Sequence, residues 1–184
     1  MAGTQLNNLK QEINHYLDLP YMRNVLKNGV VIKERFLGGK GNWKEIKKQT
    51  ISLAKKENID LNKLTHQQLY NFLKKHHIGI DCSGLVSQLL NFYFNTHLDP
   101  RHTSADMLTS AKLSKKIDDF DDIQTGDMVR QKNGHHVLFI IEKQNQIIYY
   151  VDSSLTGRGV KLGQFNITDQ AFDNQGIYRL FFFN

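Results

Sequence analysis

Apolar positions along the chain follow two regimes, helical spacing in the first half and strand-like runs in the second. Leu6, Leu9, Ile13, Tyr16 and Leu17 make one helical face, which Pro20 ends. Residues 21–41 are ambiguous: Val30-Val31-Ile32 and Phe36-Leu37 suit short strands, and Gly38-Gly39-Lys40-Gly41 predicts a loop. Asn42 with Glu45, and Thr65 with Gln68, have the spacing of capping boxes. They predict one helix through about Lys56 and a second with Leu69, Phe72 and Leu73 turned inward. Cys82, Leu85, Val86, Leu89, Leu90 and Tyr93 form the most regular stripe in the chain, with Asp81 in front as an N-cap type. Thr103 to Leu113 suits a short helix, and Asp118 to Asp122 an acidic loop without the spacing of a calcium site.

The remainder reads as β. Met128 to Gln131 and His136 to Ile141 flank Asn133-Gly134, a strong hairpin signal. Gln146 to Asp152, Val160 to Phe165 and Ile177 to Phe183 are further strands. Helices first and antiparallel strands after predict an α+β class, with the Cys82 helix packed on the sheet. A turn at Lys143-Gln144-Asn145 would set Glu142 opposite Gln146 and, stepping back, His136 opposite Asp152. His135 would then point to the other face, beside Ser153. A slip of one residue would undo this pairing.

A length of 184 residues suits one domain with a sizeable core, and 40% hydrophobic with 10% aromatic content excludes a disordered chain. No apolar run is long enough to span a bilayer. Met1 to Leu17 is polar and amphipathic, without a signal-peptide core. The expectation is a monomer that is cytoplasmic, is exported by a non-classical route, or has lost a leader. One cysteine excludes an internal disulfide and leaves the redox compartment open. The net charge of +6 is uneven: residues 1–80 hold 14 Lys/Arg against 6 Asp/Glu, and the rest hold 10 against 12. A solvated helical surface explains the excess most simply, with attraction to a polyanion as the functional alternative. No aromatic-interleaved basic patch points to nucleic acid.

Cys82 falls in a first helical turn, where unpaired amides and the helix dipole favour an anion such as a thiolate. A lone cysteine is more often inert core filler; the residues around this one point the other way. A nucleophilic cysteine needs a base. His15, His66, His76, His77, His97 and His102 lie in helical or loop contexts without metal spacing, and no cluster offers a zinc ligand set. The adjacent His76 and His77 cannot share a helix face. His136, opening a strand after a hairpin turn, is the candidate base, and Asp152 the candidate orienting carboxylate.

Asp81-Cys82-Ser83-Gly84-Leu85-Val86 resembles the active-site signature of the NlpC/P60 cysteine peptidases, papain-like enzymes of bacterial cell-wall turnover. Thr125-Gly126-Asp127-Met128-Val129 and His136-Val137-Leu138-Phe139-Ile140 are similar to the family's Gly-Asp-Leu-Val segment and histidine strand. Tyr150-Val151-Asp152-Ser153-Ser154, with Gly159-Val160, resembles the strand and loop carrying its third polar residue. The resemblance covers about residues 79–165. It implies a papain-like α+β catalytic domain over residues 1–184, with 1–78 a helical extension or insertion. It implies Cys82 as nucleophile, His136 as base and Asp152 as orienting residue, with Asp81, Ser83 and Tyr21 as oxyanion or substrate-positioning candidates. The implied reaction is hydrolysis of peptidoglycan stem-peptide or muropeptide amides, often at a γ-D-glutamyl linkage, with no metal or organic cofactor. Two departures stand out. The third residue is most often histidine in the family, and the family's Tyr-Val-Trp-Gly-Gly-like segment has only Phe36-Leu37-Gly38-Gly39, or Tyr21 after Pro20, as a counterpart. An acyltransferase or amidase acting on a lipid or small amide, and a catalytically silent wall-binding module, are the rival readings.

Overall fold

The computed structural model describes residues 2–23, 26–27, 30–31 and 39–181. Helix α1 (Ala2–Asn14) is followed by a two-stranded pair, β1 (Leu26–Lys27) and β2 (Val30–Val31). Then come α2 (Trp43–Lys56), α3 (His66–Lys75), α4 (Cys82–Phe94) and the single turn α5 (Ala105–Leu108). Strands β3 (Ser114–Ile117), β4 (Met128–Gln131), β5 (His136–Gln144), β6 (Ile147–Ser154), β7 (Gly159–Asn166) and β8 (Ile177–Leu180) complete the order. The last six form one antiparallel sheet, β3-β8-β4-β5-β6-β7. The class is α+β.

Local chemistry starts α2, α3 and α4 where the sequence predicts. Asn42 and Thr65 close reciprocal capping boxes with Glu45 and Gln68. Asp81 caps α4, and Asn95, at φ 54°, ends it in the left-handed region. The apolar stripe of α4 packs on β5 and β6, with Leu85, Val86, Leu89 and Leu90 almost fully buried. Each such side chain contributes roughly 1.5–3 kcal/mol of burial. Leu9, Ile13 and Tyr16 join them from α1 and the turn after it.

Alternation along β5 divides the interior into two clusters. Val137, Phe139 and Ile141 pack with the helices, while Leu138 and Ile140 join Ile117, Val129, Ile148, Phe165 and Ile177 on the opposite face. Phe172 covers that second face, its ring stacked 3.9 Å from Phe165. With both faces covered, β5 is apolar from Val137 to Ile141.

Two expectations need correction, and a third is met only in part among the described residues. The helix expected over Thr103–Leu113 is only α5, and Ser114–Ile117 is an edge strand with apolar contact at Ile117 alone. The turn expected at Lys143-Gln144-Asn145 is a tighter connection: Gln144 pairs with Ile147, so Asn145 and Gln146 form the turn. Of the early strand candidates, Val30-Val31 lies in β2, whereas Ile32 and Phe36-Leu37, like Gly38 of the expected loop, lie outside the described residues.

Candidate active site

The backbone just before the cysteine is held from three sides. Ile80 forms parallel bridges with both Tyr21 and Gly39. Its N–H donates to the Pro20 carbonyl at 3.1 Å, and its own carbonyl accepts from Met22 N–H and from the Ser153 hydroxyl at 2.7 Å. Asp81 N–H then donates to Gly39 O at 2.9 Å. The Asp81 carboxylate accepts from Gly84 N–H at 2.6 Å, which places Cys82 at the first position of α4. The glycines here are steric requirements. A Cβ on Gly84 would sit 2.1 Å from Gly39 O, and Gly39 itself has φ +81°.

Around this helix start lies a residue that the sequence offers only as part of a loop. Lys40 is buried, with its ammonium 2.9 Å from Asp81 Oδ1, bonded to the Ser83 hydroxyl, and 3.3 Å from Thr103 O. Asp81 and Ser83 are therefore engaged with the helix cap and Lys40. Burial pushes the Asp81 carboxyl above the usual carboxylate range, while Lys40 and the Gly84 amide pull it the other way.

His136 opens β5, and Asp152 lies two residues before the end of β6. Nε2 of the ring is 2.8 Å from Asp152 Oδ1. The ring N–H is not aimed along that vector, and this oxygen has no aligned donor among the described residues. The contact is thus one of charge more than of a linear hydrogen bond. Cys82 lies close enough to the same ring to act on its charge. Burial, the largest single influence, favours the neutral ring. Asp152 and then Cys82 favour the charged one and together prevail, raising the His136 pKa to about 9.

The expected direct opposition of His136 and Asp152 needs correction. Phe139 pairs with Val151, and a bulge follows between Ile140 and Glu142. Continued back, that register sets Leu138 opposite Asp152 and Ser154 opposite His136. The tighter turn and the bulge shift the pairing by two residues in all, an even number, so His136 and Asp152 remain on one face as diagonal neighbours. His135 is exposed in the turn and takes no part in the strand.

Tyr21 completes the surroundings. It is half-buried, and its pKa is pushed up to about 12, by burial first and then by Cys82 and Asp81. Its phenol is therefore a neutral hydrogen-bond donor at physiological pH. The amides of Cys82 and Ser83 carry no acceptor among the described residues, as the open first turn of a helix dictates. Gln131, also unanticipated, is buried and is the direct cross-strand partner of His136. No group of three or more potential metal ligands occurs among the described residues, and no helix there is long and apolar enough to cross a membrane. No protein-family model matches the chain, and no curated protein matches it significantly.

Proposed function

We propose that the chain is a papain-like cysteine hydrolase of the NlpC/P60 type, acting on amide bonds of peptidoglycan stem peptides. One observation carries the reading: a single buried imidazole stands 2.8 Å from a carboxylate and within electrostatic reach of a thiol at a helix start. The packing of that helix on an antiparallel sheet suits the same fold. The peptidoglycan substrate rests on the sequence resemblance.

The residues assign themselves roles in acyl transfer. Sγ of Cys82, as thiolate, attacks the scissile carbonyl, and the negative charge moves to the carbonyl oxygen. The Cys82 and Ser83 amides and the Tyr21 hydroxyl are the candidate donors to that oxygen. With a pKa of about 9, His136 is charged at neutral pH. It holds the proton that the leaving amine takes as the C–N bond breaks. The neutral ring then accepts a proton from water, whose oxygen attacks the thioester, releasing the carboxylic acid and restoring the Cys82 thiolate beside the charged ring. Asp152 keeps the ring oriented and stabilises its charged form.

The test is incubation of the protein with purified sacculi and with free muropeptides, products being identified by mass. Cleavage of a stem-peptide amide by the wild type and none by Cys82→Ala is the expected result. Equal products from both proteins, or none from the wild type, would refute the reading. Turnover confined to lipid or small amides would move it to the acyltransferase or amidase class.

A further inference from the structure

Lys40 is 8% exposed, and the chemistry above makes no use of it. An ammonium withdrawn from water must satisfy three donors, and here three acceptors meet it: Asp81 Oδ1, Ser83 Oγ and Thr103 O. Two of these belong to the immediate chain neighbours of Cys82. The Lys40 carbonyl accepts from Gln88 Nε2 at 3.0 Å, further along the same helix. One residue thus grips α4 at two levels and ties its start to the loop before α5. The Ser83 hydroxyl also approaches Asp81 Oδ1 at 3.3 Å, which closes the network.

The cap residue creates an electrostatic difficulty. Asp81 is the best kind of N-cap, yet its carboxylate adjoins a sulfur that has to become an anion, and like charges disfavour one another. Lys40 resolves this without opening the site to water. We propose that Lys40 is the positioning residue of the nucleophile: its ammonium fixes the backbone on both sides of Cys82 and neutralises the Asp81 cap, so that the thiolate forms beside a neutral pair. The inference rests on the reading of Cys82 as a nucleophile. Among the described residues, Cys82 also acts electrostatically on His136 of β5 and on Tyr21, and Asp152 of β6 acts on both, with Arg23 acting on Tyr21 in the opposite sense.

The experiment is the rate of Cys82 alkylation by iodoacetamide as a function of pH, which needs no substrate. It compares wild type, Lys40→Met, Asp81→Asn and the double variant, with folding checked by circular dichroism. In Lys40→Met the midpoint of the profile should rise by about one pH unit, a roughly tenfold slower reaction at neutral pH. In Asp81→Asn it should fall, because the cation is then unopposed. The double variant should return to the wild-type midpoint. If Lys40→Met does not fold, Asp81→Asn and the double variant still decide the matter, since their midpoints should differ. Coincident midpoints in every folded variant would overturn the role of Lys40 while leaving Cys82 as nucleophile intact. A wild-type profile like that of a free thiol would instead overturn the functional reading on which the inference stands.

Discussion

Replacing Asp152 by Asn should flatten the dependence of stability on alkaline pH. His136 titrates near 6.5 when unfolded and at about 9 when folded. A group whose pKa is raised by folding stabilises the native state fully below its unfolded pKa, and loses that contribution as pH climbs through the folded value. At His136 the native protein binds more protons across that window, so this group's contribution to the unfolding free energy falls between about pH 6.5 and pH 9. A separation of about 2.5 units corresponds to about 3 kcal/mol. The His136 side chain is only 7% exposed, so solvent screening removes little of this. Asp152 is the foremost of the influences that raise the value; its neutralisation leaves burial opposed by Cys82 alone. The assay is urea unfolding followed by far-ultraviolet circular dichroism, at about pH 6 and about pH 9.5. Wild type should lose about 1–3 kcal/mol more than Asp152→Asn between the two conditions. The comparison cancels every other titrating group common to both proteins. Equal losses would refute the claim that Asp152 holds His136 in its charged form.

Two further substitutions probe the same neighbourhood. His136→Ala should lower amide hydrolysis by several orders of magnitude, because the members of such a site act as a unit. His135→Ala, at an exposed turn position, should leave most turnover intact; the reverse pattern in a kinetic assay would reassign the base. Gly84→Ala would drive a methyl group to 2.1 Å from the Gly39 carbonyl. It should cost roughly 1–3 kcal/mol in thermal or urea unfolding and slow Cys82 alkylation as the helix start is displaced. Unchanged stability and labelling would mean that the backbone yields there at no cost.

Features encoded within a few residues were legible in the sequence. The caps at Asn42, Thr65 and Asp81 and the stripe from Cys82 to Leu90 each depend on neighbours within a turn or two, and each stands in the fold. Long-range features were not. Strand β3 carries Lys115 and Lys116 at its exposed centre and exists because it pairs with β8, some sixty residues on. Motif order named Cys82, His136 and Asp152, and of these His136 does stand 2.8 Å from Asp152. The register used to bring the last two together was nevertheless off by two. Asn145, at φ 54°, accepts a tighter turn than expected, and the extra residue at Ile141 has no local signature. Lys40 was invisible as a site residue for the same reason: its acceptors lie 41 and 63 positions away.

The double bridge to Ile80 has a consequence for how this protein can be altered. The chain departs past Met22 and comes back at Gly39 against the same residue. Everything between is therefore a closed excursion whose two ends are fastened beside the cysteine. Closing such an excursion becomes harder only slowly as it grows, by about 0.6 kcal/mol for each doubling in length. Segments of quite different size and chemistry could be exchanged there while Cys82, His136 and Asp152 keep their places. Met22 and Gly39 are in that sense two fastened ends, and what joins them could be exchanged while both anchors beside Cys82 stay in place.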